Sequence, residues 1–354
     1  MFDDFTQNNK GILFMPYNNI EWPKPAELPV TGLAAEFPGD NFPESDPRVL
    51  VCENFEGYTG NGNALVNSGK WDVASHAYGM SFDKNDMVSG TQSLIMTAAG
   101  NDFTWREFGV GKFIKPEDQK DILFLRYYQK IAENYAVSGP AHNGGGMNGN
   151  YNELGWWKWD AEAGCHIPTP ESKNGFYYRR STAGVIPQIK DRFLANLEWD
   201  FVKDNFSVYL YHPGQMGEWG DRLFSDRFGY GSSTNATFNE KPFPLGEYFK
   251  PMVPPTMAKG KWTCYEIMLK TNSVPYDEKK DVFPVRDGRI AVWVDGEPVM
   301  DYPNLFLRYT PENKIDSVSF GSQVRSNPGP ETYIWYDNVV LSTEYIGPYV
   351  TPIK

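Results

Sequence analysis

From Val49 onward the chain is built of short runs in which apolar and polar residues alternate. SLIMTAA (93–99), ILFLRYYQKI (122–131), FSVYLYH (206–212), WTCYEIMLKTN (262–272), RIAVWVDG (289–296) and DSVSFGS (316–322) all show the two-residue period of a strand with one buried face. YIWYDNVVLSTEYIGP (333–348) continues the pattern near the end of the chain, with an Asp–Asn pair set into its middle. The spacing between runs is uneven, and long loops are expected at 139–175 and 213–260. KPEDQKD (115–121) is the best helical candidate and it is short. No internal repeat is visible. Residues 1–48 have a different texture: Pro16, Pro23, Pro25, Pro29, Pro38, Pro43 and Pro47 interrupt any regular element. They predict an irregular arm, packed over the surface through Phe14, Tyr17 and Trp22. Many strands, long loops and no strand–helix alternation predict an all-β sandwich of two antiparallel sheets, a single domain over 49–354 behind an arm over 1–48.

Composition agrees with that reading. Aromatic residues make up 16% of the 354 residues, and pleated sheets favour them. The 33 glycines and 27 prolines supply the turns. A formal net charge of −12 argues against nucleic acid, because neutralising phosphates needs clustered Lys and Arg. It leaves room for an anionic glycan held in a local basic cleft. No stretch approaches the roughly 20 apolar residues needed to span a bilayer, so no membrane partner is expected. No charged leader with an apolar core opens the chain, so a signal peptide is absent or was removed. Cys52, Cys165 and Cys264 lie far apart with no metal-binding spacing; they allow at most one disulfide, or three buried thiols.

The partner of the closing run lies at the other end, in VLVCENFEGYTG (49–60), with a third piece in VSGTQSLIMTA (88–98). NFEG, SGTQSL and WYDNVVL, in that order, resemble the recurring signature of carbohydrate-active jelly-roll modules. There the first and last strands lie side by side with a calcium ion between them. The resemblance implies that Glu56 and Asp337 share a structural Ca2+, completed by loop carbonyls to roughly six to eight oxygens. Ordinary acids at strand ends are the alternative. In the second half, FSVYLYHPGQMGEWGD, GKWTCYEIMLKTNS, DGRIAVWVDGEPVMDYPNLFLR and the closing run look like a group of secreted bacterial jelly-roll proteins. That group is similar to the alginate-lyase-like and glucuronan-lyase-like polysaccharide lyases, and the resemblance covers roughly residues 120–348. It implies a concanavalin A-like β-jelly roll, a secreted or periplasmic location and an anionic polysaccharide as partner. The implied activity is cleavage of a uronic-acid-containing glycan by β-elimination. Such frames also serve as lectins and hydrolases, so a non-catalytic carbohydrate-binding protein and a laminarinase-type glycoside hydrolase stand as alternatives.

A uronate lyase must neutralise the carboxylate, remove the C5 proton with a base, and protonate the leaving oxygen. In ILFLRYYQKI, alternation puts Phe124, Arg126, Tyr128 and Lys130 on one face. The expectation is a catalytic groove around Arg126, Tyr128, Lys130 and His142, with Arg126 on the carboxylate and His142 or Tyr128 as base; a solvated outer face is the alternative. His142 and Asn143 sit in GPAHNGGGMNGN (139–150), read as a loop whose glycines bring backbone close to a ligand. Asn143, Arg180 of NGFYYRRST (174–182), Lys270 and Trp157 of ELGWWKWDAE (153–162) are the expected substrate binders. LEWDFVKD (197–204) puts Glu198 and Asp200 on one strand face, a partial match to the E-x-D-x-x-E motif of laminarinase-type hydrolases. Lys203 occupies the third acid position and breaks that match.

Overall fold

The computed structural model describes residues 23–98, 105–135, 142–150, 157–160, 165–168, 192–200, 205–212, 215, 219–229, 248–275, 285–308, 310–325 and 331–352. Phe14, Tyr17, Trp22 and Arg180 lie outside these residues. Two eight-stranded antiparallel sheets carry the fold. One, here the arm sheet, runs in the order Glu297–Leu305, Gly288–Val294, Trp262–Lys270, Ile122–Ile131, Thr332–Ser342, Ser93–Ala98 and Met80–Asp83, with Val49–Glu53 also pairing with Thr332–Ser342. The other, the groove sheet, runs Phe228–Gly229, Asp221–Phe224, Asn205–Tyr211, Arg192–Asp200, Asn143–Asn150, Ser317–Arg325, Trp105–Phe113 and Val73–Ser75. Trp157–Asp160 and Cys165–Pro168 form a separate hairpin. This is a β-sandwich jelly roll, and the first and last long strands pair as neighbours, with Cys52 opposite Val340.

The alternation read from the sequence fills the space between the sheets. Leu123, Leu125, Tyr127 and Ile131 meet Leu197, Trp199, Val208, Leu210 and Phe320 in one continuous core. Each such side chain removed from water contributes about 1.5–3 kcal/mol. Two expectations are corrected. KPEDQKD makes one turn, closed by the Asp118 and Gln119 N–H groups donating to the Lys115 carbonyl, and no helix. HNGGGMNGN is no loop: Asn143–Asn150 is a central strand, paired with Ser317–Arg325 on one side and Arg192–Asp200 on the other. Glycine works there because neighbours occupy the space where side chains would stand. A Cβ on Gly144 would sit 2.2 Å from the Leu197 carbonyl oxygen, and one on Gly145 would meet the Tyr127 ring at 2.6 Å.

Part of the outer face of the arm sheet, around Phe124, Arg126 and Tyr128, is covered by the chain's own ends. Residues 23–48 cross it with one short helix, Leu33–Glu36. Leu33 N–H donates to the Tyr345 carbonyl, and Gly39 N–H to that of Val350. Phe124 packs there with Ala34, Trp293 and Tyr345. Arg126, 0% exposed, bonds both Asp40 oxygens and the carbonyls of Gly347 and Asn338. Burial opposes its charge, and the Asp40 carboxylate outweighs that penalty, so Arg126 stays protonated. The Tyr128 hydroxyl accepts the Tyr349 N–H at 2.9 Å, and burial raises its pKa strongly. The expected Arg126–Tyr128–Lys130–His142 groove therefore does not form. The first three share the outer face of the arm sheet, while His142 lies on the opposite side of the sandwich. Arg126 and Tyr128 lie beneath the arm and tail.

Candidate active site

A groove of about 260 Å³ lies on the outer face of the other sheet. Its floor follows from strand register. Gly144, Gly321 and Gly109 stand opposite one another on three adjacent strands, and Gly146, Ser319 and Gly111 form the next rung. No side chain in either rung exceeds a hydroxymethyl group; Asn196 leans over Gly146, while at Gly109 and Gly111 a ligand can approach the backbone itself. Asn148, Asn196, His142 and Glu198 line the groove on the side of the Arg192–Asp200 strand.

Alternation sets that side of the groove. Leu197 and Trp199 enter the core, so Glu198 between them faces outward; across the strand pair it stands opposite Ser207, and Asn196 stands opposite Tyr209. Glu198 is only 1% exposed. One of its oxygens bonds His142 Nδ1, and the other lies 3.1 Å from an Arg222 nitrogen. Arg222 also donates to Ser207 Oγ at 2.7 Å and lies over the Tyr209 ring, 5.0 Å from its centre. The His142 ring packs on the same tyrosine at 5.2 Å and keeps 33% of its side chain exposed. The Tyr209 hydroxyl accepts the Gly220 N–H and donates to the Tyr211 hydroxyl at 3.1 Å. Burial raises the Tyr209 pKa, and the Tyr211 hydroxyl and Glu198 charge act in the same direction, so this phenol keeps its proton at neutral pH.

The chemistry of the cluster is that of a held base. A carboxylate on Nδ1 fixes the imidazole tautomer, makes Nε2 the acceptor and stabilises the imidazolium that forms on proton capture. Arg222 pairs with Glu198 and holds it in place. The Tyr209 ring backs both His142 and Arg222, with its hydroxyl bonded to that of Tyr211.

The other expected site residues have different surroundings. Asn143 is buried, and its amide exchanges two hydrogen bonds with the Trp199 backbone, at 3.1 and 3.2 Å. It continues the pairing of its strand with the Arg192–Asp200 strand next to His142 and Glu198, and it lies in the groove lining. Lys270 is tied to Asp287 at one end of the arm sheet, away from the groove. Trp157 lies on the separate hairpin, and its side chain, like that of Asp200, is outside the described residues. Glu198, Arg222, Tyr209 and Tyr211 were not expected as a set. The SVYLY alternation and the outward Glu198 were legible, but the pairing of their strands was not.

Glu56 and Asp337 come close enough for the Glu56 charge to raise the Asp337 pKa, but burial is the larger cause of its rise to about 7. Loop 84–92 links the two acids. Asp337 accepts the N–H groups of Val88, Ser89 and Asn338. Glu56 accepts those of Thr91 and Gln92 together with the Thr91 hydroxyl. Six donors thus occupy most of the lone pairs a cation would need, and among the described residues no cluster of three or more His, Cys, Asp or Glu stands ready for a metal. The residues present fit a loop anchor and do not fit a calcium cage. Cys52 and Cys264 are free thiols.

No family model matches the chain, and no curated protein matches it in sequence. In structure it is similar to alginate lyase vAL-1 from Chlorella virus, with 12% identity, a TM-score of 0.50, and coverage of 83% of this chain and 99% of that one. Alginate lyase Aly36B shows 14% identity over 84% and 98% of the two chains, with a TM-score of 0.46. An endo-β-1,4-glucuronan lyase from the fungus Trichoderma reesei shows 13% identity over 77% and 91%, with a TM-score of 0.40. At such identities the likeness is one of fold, and with the two antiparallel sheets it shows this chain to be a β-sandwich jelly roll like vAL-1.

Proposed function

We propose that the protein is a polysaccharide lyase that cleaves a uronate-containing glycan by β-elimination in the groove over Gly109, Gly144 and Gly321. The observation that carries this reading is the Glu198–His142 pair at the edge of a floor stripped of side chains. His142 takes the C5 proton through Nε2, and Glu198 holds the resulting imidazolium. Asn148 and Asn196 are the amides that line the groove beside it and serve as donors to the uronate carboxylate. Tyr209, kept protonated, is the source of the proton for the leaving glycosidic oxygen, and its hydroxyl passes it on through that of Tyr211. The solved lyases of similar fold bind or cleave alginate and glucuronan, which agrees with a polyuronate as the substrate class. A retaining or inverting hydrolase needs two carboxylates flanking the bond. Glu198 is instead committed to His142 and Arg222. The test is incubation with a panel of polyuronates while following the ultraviolet absorbance of the unsaturated product. The expected result is product from at least one of them, with His142→Ala lowering kcat by about 10²-fold or more while KM stays within a few-fold. Absence of product across alginates, glucuronans and pectates overturns the reading.

A further inference from the structure

Opposite the groove, on the outer face of the arm sheet, arm and tail pack over Phe124, Arg126 and Tyr128. Two residues further along, at Lys130, the surface changes character. Trp262, Lys130, Trp335 and Ile95 stand directly opposite one another on four adjacent strands. All four are half-buried, with part of each side chain at the surface. The two indoles are held by their edges from one short segment: Trp262 Nε1 donates to Asp86 and Trp335 Nε1 to Asp83, both at 2.8 Å. Lys130 pairs with Asp86, and its Nζ lies 5.4 Å from the centre of the Trp335 ring. Tyr333, on the same face of the strand, extends the aromatic surface with its ring centre 5.6 Å from that of Trp335.

We propose that this rung is a second glycan site, separate from the groove, and that it takes a neutral β-1,4-linked polysaccharide. Neighbouring strands lie about 4.8 Å apart, so two tryptophans two strands apart stand about 10 Å from one another. That matches the two-residue repeat of a flat β-1,4-linked chain, whose C–H faces stack on aromatic rings. The Asp83 and Asp86 hydrogen bonds fix both rings before binding, which lowers the ordering cost of association. Charge selects the chain. Asp83, Asp86 and Glu331, which accept from Trp335, Trp262 and Tyr333, outnumber Lys130 and the neighbouring Lys84, so the patch accepts hydrogen bonds from hydroxyl groups and repels polyuronates. The site does not depend on lyase chemistry. It adds to that reading a means of holding the protein on a neutral glycan while the groove works on a charged one.

The experiment titrates the whole protein with neutral β-1,4-linked hexasaccharides of glucose and mannose, following tryptophan fluorescence and binding heat, with a polyuronate hexasaccharide as control. Expected is saturable binding of at least one neutral chain, retained in His142→Ala. Trp262→Ala and Trp335→Ala should each weaken it about tenfold or more while polyuronate cleavage persists. Failure of every neutral chain to bind the unmodified protein overturns the proposal whatever the fate of the variants. So does unchanged affinity in both tryptophan variants, or loss of binding in His142→Ala. If no polyuronate is cleaved but the neutral chain still binds through the tryptophans, the lyase reading fails and this one stands.

Discussion

Two buried cation–carboxylate pairs in this molecule have opposite consequences. Asp40 holds Arg126 under the arm, and Glu198 holds Arg222 and His142 beside the groove. Removing one partner of a buried pair leaves an uncompensated charge, which costs about 3–5 kcal/mol. Asp40→Ala should therefore lower stability by that amount in denaturant unfolding and leave kcat per folded molecule unchanged. Glu198→Gln keeps the shape of the side chain but no longer stabilises an imidazolium. It should cut kcat by about 10²-fold on whichever polyuronate is cleaved, beyond any loss of stability from leaving Arg222 without its counter-charge. Equal effects of the two substitutions on activity would show that the Glu198 cluster is structural only. Glu266, buried beneath the tail, makes a pH prediction. It accepts the N–H groups of Ile346 and Gly347, yet burial, the larger influence, raises its pKa to about 7. An acid whose folded pKa is raised binds more protons in the folded than in the unfolded chain. Its contribution to stability is therefore complete below about pH 4 and lost as pH rises to about 7, a change on the order of 3 kcal/mol. The melting temperature should fall between pH 5 and 7.5, and Glu266→Gln should flatten that slope.

At the scale of the element, the glycine strand Asn143–Asn150 decides whether there is a groove. Its glycines are not interchangeable with those of its neighbours. A Cβ on Gly146 would stand 1.9 Å from Asn196 Oδ1, so Gly146→Ala should displace a groove amide and strain the strand pair. Gly111, on the far side of the same rung, has only ordinary contacts at 3.6 Å and beyond. Gly111→Phe should fold with stability within about 1 kcal/mol of the parent. It should also fill the floor, so that kcat/KM falls about tenfold or more with unchanged circular dichroism. Full activity in Gly111→Phe would show that substrate does not cross this floor. The segment also shows where local reading breaks down. Glycine-rich sequence has low strand propensity and reads as a loop. Here packing by Tyr127 and the Leu197 backbone supplies what the missing side chains do not.

At the scale of the whole molecule, arm and tail cover one face of the sandwich around Phe124, Arg126 and Tyr128, and the groove lies on the other. Deleting residues 1–48 would uncover Phe124, Trp293 and Tyr345 and leave Arg126 without Asp40. A lowered melting temperature and binding of a hydrophobic dye are the expected readouts. A chelator, by contrast, should leave the melting temperature of the intact chain unchanged, because the N–H donors of loop 84–92 already join Glu56 to Asp337. A drop in melting temperature that added Ca2+ reverses would show that the loop donors give way to metal.

The amino-acid sequence by itself determined the alternating strands and their inward faces, though not the glycine strand Asn143–Asn150. Two-residue periodicity is a local property, and Ile122–Ile131 and Trp262–Lys270 begin where their alternating runs begin. It also determined that Glu198 and the Tyr209–Tyr211 pair face away from their apolar neighbours. It could not say which outward face meets solvent, substrate or another part of the chain. Arg126, Tyr128 and Lys130 read as a polyanion-binding row because Arg, Tyr and Lys look alike whether bare or covered, and the cover comes from Asp40 and Tyr349, far away in the chain. Only the tertiary structure brought His142 to Glu198 and Glu198 to Arg222. Those contacts span 56 and 24 residues across three strands, and their register is set by side-chain packing over the whole sheet, which no short window of sequence contains.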